Sequence, residues 1–479
     1  MTQGPPILDD FLFGVATAGF QIEGGYNGAG EPRNNWFRWE AEGRVEPAGL
    51  ALDFWNHYEE HLDRVVATGS NAFRFSVEWA RCEPADGQID TAALARYAAI
   101  VDACHERGLE PLVTLHHFTH PYWLGDDFWL QPDAPERFAQ WASVAAHHLG
   151  PRVKHWVTIN ELNIFGLMTY LLGSLPGGGV GRVGAAARAF DHLLAGHVLA
   201  YEAVHAARAD AVVSTNTFTF SLYEVDRLLT DVLLARAHDV PREELRTWLI
   251  SRRARHTDAV VPLAGDERVL RAVSRRGLDL DAALPRAVDA VYASPHTCTL
   301  DHIQLDYYNP FTSSHFQAPG RRTSGGRNWS PGTMLWDDRP DPEAFASFVP
   351  LSVDDGRDVW IVENGMCNRV RNGRALPRVD NWDRPRYLQA YLRAMVDMID
   401  AGVPIGAYFH WTLADNYEWG SYEPRFGLYG VDRSRGNAWS ARDAMGRDSA
   451  GVYRRIIEGL RAGDRSVLSR PVTQLESRP

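Results

Sequence analysis

The chain repeats one local pattern, in which an amphipathic helix is followed by a glycine and then by a short apolar run. In the first copy Tyr58, Leu62 and Val65 share one helical stripe, Gly69 follows, and residues 72–77 form the apolar run. A glycine at this place supplies the left-handed residue that ends many helices. The same order returns around three later glycines, Gly108, Gly150 and Gly402. Helices that alternate in this way with buried strands are typical of parallel β/α winding.

Eight candidate strands follow from this pattern: Phe11–Ala16, Ala72–Val77, Leu112–Leu115, Val153–Ile159, Ala211–Phe218, His302–Tyr308, Val359–Val362 and Ile405–Trp411. Eight parallel strands predict an α/β fold, a single closed (β/α)8 TIM barrel. We expect one domain over residues 1–479. A helix-rich insertion is predicted at about 223–300, between the fifth and sixth strands, and a long mouth loop rich in Gly, Pro, Ser and Asp at about 318–356.

Charge and cysteine content limit the partners and the compartment. A net charge of −12 would repel a phosphate backbone, so we expect no nucleic-acid partner. The four cysteines stand far apart, which favours a reducing compartment. Asp9 and Asp10 lie where a signal peptide needs positive charge, and no stretch has 18 uninterrupted apolar residues. These features predict a cytoplasmic protein without membrane association, and they leave the oligomeric state open.

Polar residues cluster where the predicted strands end, which is where barrel enzymes carry their chemistry. Glu161 follows the fourth strand and Glu363 follows the seventh, each beside an asparagine, while Arg74 lies on the second strand. Two carboxyl groups that face one cavity suit glycoside hydrolysis, with one ionised as nucleophile and the other protonated as acid. Arg74 is placed to keep the nucleophile ionised, because an opposite charge nearby favours the charged form.

Several motifs resemble those of the retaining β-glycosidases of glycoside hydrolase family 1, and the resemblance runs nearly end to end. FLFGVATAGFQIEGG at 11–25 is similar to the N-terminal signature of that family. FRFSVEWARCEP at 73–84 and FHWTLADNYEWGSYEPRFGL at 409–428 are similar to its second-strand and final-strand blocks. VTINELN at 157–163 and WIVENG at 360–365 resemble the motifs that carry its acid/base and its nucleophile.

The resemblance implies a role for each matching residue. It makes Glu363 the nucleophile and Glu161 the general acid/base, with Arg74 and Tyr308 in contact with the nucleophile. It also implies substrate-binding residues, namely Gln21, His117, Asn160, Trp411, Glu418 and Trp419, of which Trp411 would stack beneath the sugar ring and Asn160 would hold the 2-hydroxyl. Neither a metal nor an organic cofactor is implied. The expected partner is a small-molecule β-glycoside or oligosaccharide.

The sequence departs from the family pattern at four positions. Leu162 stands where the family usually has Pro, Val362 where it has Thr, Asp306 where it has Asn, and Phe118 where it often has Trp. The segment 419–425 also has one residue fewer than the commonest pattern. Both catalytic glutamates are kept, so these departures bear on the substrate and leave the reaction class intact. Glu418 would repel a 6-phosphate, which favours non-phosphorylated β-D-glucosides, galactosides or fucosides.

Other motifs and functions compete with this interpretation. GVGRVG at 179–184 matches a dinucleotide-binding pattern but lacks the strand that should precede it. His116, His117 and His120 could suggest zinc, yet neighbouring strand residues point to opposite faces, so one sugar-binding histidine and two structural ones are expected. A transglycosidase on the same residues remains an alternative, as does a catalytically weak glycan-binding relative.

Overall fold

The computed structural model describes most of the chain, in the ranges 10–220, 222–263, 267–268, 271, 283–308, 339–354, 356–371 and 374–476. Within these ranges the strands are β1 Leu12–Ala16, β2 Ala72–Ser76, β3 Glu110–His116, β4 His155–Ile159, β5 Val212–Ser214, β6 Asn216–Phe218, β7 Ile303–Asp306, β8 Val359–Asn364, β9 Val370–Arg371, β10 Arg374–Ala375, β11 Ile405–Trp411, β12 Val431–Asp432 and β13 Ala438–Trp439. The short pairs β9–β10 and β12–β13 are antiparallel.

The remaining nine strands form one sheet in the order β5-β4-β3-β2-β1-β11-β8-β7-β6, and all of its pairings are parallel. The two ends of this sheet are joined by the chain itself, which runs from β5 through Thr215 into β6. Together β5 and β6 act as one interrupted fifth strand, paired on one side with β4 and on the other with β7. The prediction of a closed barrel of eight parallel strands is therefore confirmed.

The described α-helices are α1 Gly19–Ile22, α2 Phe37–Ala41, α3 Phe54–Ala67, α4 Trp79–Cys82, α5 Thr91–Glu106, α6 Ala134–Leu149, α7 Leu162–Tyr170, α8 Val183–Ala207, α9 Arg227–Leu234, α10 Leu245–Val260, α11 Pro285–Ala293, α12 Pro342–Phe348, α13 Arg384–Asp400, α14 Ser449–Arg461 and α15 Val472–Leu475. Short 3-10 helices lie at Tyr122–Leu124, Phe128–Leu130, Ala235–His238, Arg242–Glu244, Val261–Leu263, Val349–Ser352, Arg433–Arg435 and Arg465–Leu468. None of the described helices combines the length and apolar character needed to cross a membrane.

Helix boundaries follow local chemistry. Asp90 precedes α5, and its carboxylate accepts from the backbone N–H groups of Ala92 and Ala93, which have no partner within the helix. Gly69 and Gly108 have φ of 79° and 67°, as expected of a left-handed residue after a helix. Gly150 differs, with φ of −51°. It is needed there because a Cβ would lie 2.3 Å from the carbonyl oxygen of Ala146.

Side chains of the barrel strands alternate between two apolar layers. On β11, Ala407, Phe409 and Trp411 face the barrel interior, while Tyr408 packs outward against the helices. This alternation follows from the two-residue period of a strand. The inward-facing residues near the carboxyl ends of the strands thus all point into one space at the barrel mouth.

The regions predicted as a helix-rich insertion and a mouth loop are each described in part. Helices α9, α10 and α11 lie in the connection from β6 to β7, which is the region predicted as a helix-rich insertion at about 223–300. In the predicted mouth loop at about 318–356, the part at 318–338 lies outside the described residues, and α12 lies in the described part. The assignment of residues 1–479 to one domain stays a prediction.

Candidate active site

Three carboxyl groups and one guanidinium meet at the carboxyl ends of the barrel strands. Arg74 comes from β2, Glu161 follows β4, Asp306 ends β7 and Glu363 lies near the end of β8. Oxygen atoms of the three carboxyl groups lie within 4.8 Å of one another. All four side chains are buried. The structure therefore brings together both glutamates that the sequence singled out, and it adds Asp306 to them.

Glu363 is surrounded by hydrogen-bond donors. Nη1 of Arg74 donates to its Oε1 at 2.7 Å, and the hydroxyl of Tyr308 donates to its Oε2 at 3.1 Å. Burial raises the pKa of Glu363 to about 7, and the charge of Arg74 and the hydrogen bond from Tyr308 act in the opposite direction. Both donors favour the ionised carboxylate, which is the form a nucleophile needs.

An irregularity in β8 sets the direction of Glu363. Ile361 pairs with Leu305, but Glu363 pairs with the next residue of β7, Asp306, so β8 has one extra residue at Val362. The pairing with β11 shows the same extra residue. Such a bulge re-aims a side chain. The carbonyl oxygen of Val362 accepts from Nη1 of Arg74 at 3.2 Å, so consecutive residues of β8 both contact this guanidinium.

Glu161 occupies a different electrostatic environment. Burial raises the pKa of its carboxyl well above the usual range, and the neighbouring Asp306 and Glu363 raise it further, against the charge of Arg74. Its backbone is left-handed, with φ of 39°, immediately before α7, which begins at the buried Leu162. A non-glycine residue in this conformation is strained, and such strain concentrates at functional sites. These surroundings favour the protonated form of Glu161 more strongly than the surroundings of Glu363 favour that of Glu363.

Asn216 of β6 connects these groups, and sequence reasoning missed it. Its Oδ1 accepts from the backbone N–H of Glu161 at 3.1 Å, and its Nδ2 donates to Asn160 Oδ1 at 3.0 Å and to Asp306. Nη2 of Arg74 also donates to Asn160. A polar residue at the carboxyl end of the predicted strand Ala211–Phe218 was the signal that could have found it.

An aromatic wall stands beside the carboxyl groups. The ring of His117 lies 5.9 Å from that of Trp411 and 5.6 Å from that of Trp419, both nearly parallel to it. Phe118 packs against Trp419 at 4.9 Å. Burial, and then the charge of Arg74, lowers the pKa of His117 well below the usual range, so the imidazole is neutral. The predicted sugar-binding residues of this group therefore share one surface.

Gln21 and Glu418 form the far side of the same region. Nε2 of Gln21 donates to Glu418 Oε2 at 3.2 Å and to the carbonyl oxygen of Tyr417 at 2.8 Å. Burial raises the pKa of Glu418 to about 8, and the charge of Glu363 raises it too, while hydrogen bonds from Trp411 and Gln21 lower it. Glu418 thus belongs electrostatically to the group around Glu363.

The other polar residues at the strand ends have structural partners. Nε2 of His116 accepts from Trp129 Nε1 at 3.2 Å, and Nε2 of His120 lies 3.2 Å from the carbonyl oxygen of Gly125. Tyr307 packs edge-on against Phe345 at 4.6 Å, outside the barrel. Within the described part of the chain, the one group of three residues spaced to share a metal ion is the carboxyl cluster, so the histidines form no such group. The segment before α8 holds α7 and turns, which is not the strand that a dinucleotide motif at 179–184 requires.

Known proteins resemble this chain in sequence and in fold. A bifunctional β-D-glucosidase/β-D-fucosidase from Bifidobacterium breve is 29% identical over 93% of this chain and 97% of its own. A 6-phospho-β-galactosidase from Clostridium acetobutylicum is 24% identical over 94% of this chain and 98% of its own. The fold matches that of a Thermotoga maritima β-glucosidase solved with galacto-hydroximolactam, with a TM-score of 0.70, 22% identity, and coverage of 96% of this chain and 99% of that chain. Because the model of glycosyl hydrolase family 1 matches residues 5–461, nearly the whole barrel and its site, this chain belongs to that family.

Proposed function

We propose that this protein hydrolyses non-phosphorylated β-D-glucosides with net retention at the anomeric carbon, with β-D-galactosides and β-D-fucosides as further candidate substrates. The observation that carries the proposal is the pair of carboxyl groups of Glu161 and Glu363, whose oxygens come within 4.8 Å of each other. Retaining glycosidases hold their two carboxyl groups at about 5–5.5 Å, whereas inverting enzymes need about 6.5–9.5 Å to admit a water molecule. The close spacing supports retention.

In the first step Glu363 attacks the anomeric carbon and Glu161 gives its proton to the departing oxygen. Arg74 and Tyr308 favour the ionised form of Glu363, whereas the carboxyl groups beside Glu161 favour its protonated form. A separate nucleophile and acid require two carboxyl groups whose environments favour opposite protonation states. The product of this step is a glycosyl ester on Glu363 and a free alcohol or phenol.

In the second step the role of Glu161 follows from the change in the charge of Glu363. The ester on Glu363 is neutral, so one of the negative charges that hold the proton on Glu161 disappears, and the pKa of Glu161 falls. Glu161, now a carboxylate, takes a proton from water as the water attacks the anomeric carbon. The sugar leaves with its original configuration, and both carboxyl groups return to their starting states.

Residues around the carboxyl pair are proposed to bind the sugar. Gln21, His117 and Glu418 offer hydrogen-bond groups on one side, and Asn160 lies beside Arg74 on the other. The indole faces of the buried Trp411 and the half-buried Trp419 suit sugar C–H groups, with Trp419 also bonding a hydroxyl through its N–H. These assignments extend the sequence-based expectations.

A substrate without a 6-phosphate is supported by the charges around the site. The single lysine, Lys154, lies just before β4, at the opposite end of the barrel from the carboxyl cluster. The acidic Glu418 occupies the region that would have to accept a phosphate, and its carboxylate form repels a phosphate at short range. The bifunctional relative from Bifidobacterium breve, named for glucoside and fucoside substrates, supports the same choice.

The proposal is tested with aryl β-glucosides and proton NMR of the products. We expect the β-anomer of the sugar to appear first, before mutarotation, and an α-anomer would disprove retention. Adding methanol separates hydrolysis from transglycosylation, because a transglycosidase would give mainly methyl β-glycoside. Sugar binding without turnover of any aryl β-glycoside would instead establish the glycan-binding alternative.

The cysteines support a cytoplasmic location. None of the four cysteines forms a disulfide, and Cys82, Cys104 and Cys367 are buried. Thiols persist in a reducing compartment, whereas the cysteines of secreted proteins tend to form disulfides. Fractionation of cells that produce the protein would place it directly, and recovery from the medium would contradict the proposal.

A further inference from the structure

Asp306 adds a third carboxyl group where the reaction scheme uses only two. Its side chain is fully buried, and its oxygens lie within 4.8 Å of those of Glu161 and Glu363. Among the residues that the structure describes, the cation in contact with the cluster is Arg74, whose Nη1 lies 2.7 Å from Glu363 and 3.5 Å from Asp306. Three ionised carboxylates against one guanidinium would leave two uncompensated negative charges in a buried space, which is costly. At least one proton must therefore be held among the three carboxyl groups.

The neighbours of each carboxyl group indicate where that proton is held. Glu363 is approached by the guanidinium of Arg74 and the hydroxyl of Tyr308, so it is the best stabilised anion. Asp306 accepts from the amide of Asn216 and lies at the longer distance from Arg74. Glu161 faces the other two carboxyl groups. Of the other titratable groups of the site, His117 is affected by the charge of Arg74 and Glu418 by that of Glu363, while Tyr308 interacts with all three carboxyl groups of the cluster.

We propose that Asp306 is a positioning residue that shares one proton with Glu161 and thereby keeps the acid/base carboxyl protonated until the substrate is attacked. This inference rests on the proposed glycosidase function and deepens it. Burial raises the pKa of Asp306 and that of Glu161 well above their usual ranges, as expected of two acids that compete for one proton.

The charge of the cluster stays constant through the cycle. Before attack, Arg74 is positive, Glu363 is negative, and the pair of Glu161 and Asp306 carries one proton and one negative charge. When Glu363 forms the ester bond, the proton passes from the pair to the departing oxygen, and the pair becomes doubly negative. The negative charge thus moves from Glu363 to the pair, and Arg74 contacts both. Water then returns a proton to the pair as the ester bond breaks.

Asparagine at this position would remove the charge and the shared proton while keeping an oxygen that accepts from Asn216. Without the neighbouring carboxylate, Glu161 loses its proton at lower pH. We expect Asp306→Asn to move the alkaline limb of kcat/KM down by about one pH unit or more for phenyl β-glucoside, whose leaving group needs protonation. Dinitrophenyl β-glucoside leaves without protonation, so its alkaline limb should not move.

A matched control is Asp191→Asn on α8. Asp191 is also buried, and its Oδ1 accepts from the backbone N–H of Ala287, a role that an amide keeps. This variant should reproduce the wild-type pH profile with both substrates. Thermal unfolding checks that each variant is folded. Asp306→Ser also lacks the charge, and it differs in shape from Asp306→Asn. It should shift the alkaline limb in the same direction, and it replaces Asp306→Asn if that variant does not fold.

The outcomes separate this inference from the proposed function. If the wild-type protein cleaves neither glucoside, the proposed function fails. If it cleaves both, and the alkaline limb of Asp306→Asn or Asp306→Ser on phenyl β-glucoside matches that of the wild type, proton sharing is wrong while the proposed function stands. An equal shift on both substrates also overturns proton sharing, because it would mean that Asp306 acts on something other than proton donation.

Discussion

Gln21 and Glu418, which lie 397 positions apart in the chain, are joined by a hydrogen bond of 3.2 Å from Nε2 to Oε2. They follow β1 and β11, which are neighbours in the barrel, so closure of the barrel brings the first and last parts of the site together. Burial raises the pKa of Glu418 to about 8. The charge of this carboxyl group therefore changes just above neutral pH, and discrimination against a 6-phosphate should change with it.

The preference for a β-glucoside over its 6-phosphate is expected to increase with pH. Below about pH 8 the Glu418 carboxyl is mainly neutral, and above it the carboxylate repels the phosphate. We expect the ratio of the two kcat/KM values to rise roughly tenfold or more between about pH 7 and 9. Taking the ratio cancels the titration of Glu161 and Glu363, which both substrates need. Glu418→Gln should give a flat ratio, and a flat ratio in the wild type would contradict the prediction.

Removing the hydroxyl of Tyr308 should weaken the nucleophile. Tyr308→Phe keeps the ring, which stacks on Phe218 at 5.5 Å, but loses the donor to Glu363. A hydrogen bond to a charged group contributes about 1.5–3 kcal/mol, so kcat/KM should fall about 10- to 100-fold. The lost donor favoured the ionised form, so the pKa of Glu363 rises and the acidic limb moves to higher pH. An unchanged acidic limb would show that Tyr308 does not act on Glu363.

The barrel could be predicted from the sequence because its signals are local. Each helix–glycine–strand unit has its own periodicity, and the eight predicted strands correspond to the eight barrel positions. The break at Thr215 between β5 and β6 could not be predicted, because Ala211–Phe218 is one continuous strand-like run. The conformation of Gly150, which follows α6, could not be predicted either. A glycine at that position is compatible with a left-handed backbone and also with a close approach to the carbonyl oxygen of Ala146.

The site was predictable as a set of residues but not as a geometry. Glu161, Glu363 and Arg74 follow from polar side chains at strand ends, and the structure brings them together. The bulge at Val362, which aims Glu363 at Arg74, depends on pairing with both neighbouring strands and has no local signal. The same holds for Asn216, whose three partners come from other parts of the chain. Roles assigned to the sugar-binding residues stay predictions.

The buried ion cluster between α9 and α10 of the insertion should contribute strongly to stability. Asp231 is fully buried and accepts from Tyr223, Arg227 and Arg252. Asp231→Ala leaves the arginine charges without this partner, so the free energy of unfolding should fall by about 3–5 kcal/mol. Urea unfolding measures this change. The control Asp133→Ala removes an exposed pair with Arg137 at 2.8 Å and should cost about 0–1 kcal/mol. Equal losses of unfolding free energy in the two variants would show that burial does not determine how much an ion pair contributes to stability.

Azide should distinguish the two catalytic glutamates. In Glu161→Ala, a dinitrophenyl β-glucoside still forms the glycosyl ester on Glu363, because its leaving group needs no proton, but the ester hydrolyses slowly for want of a base. We expect a burst of phenolate followed by slow turnover. Azide needs no base and should restore turnover with a β-glycosyl azide as product. Glu363→Ala has no nucleophile and should lose activity on every glycoside, and azide can then attack only from the opposite face to give the α-product. Product NMR identifies the anomer, and exchange of the two products between the variants would reverse the assignment of nucleophile and acid/base.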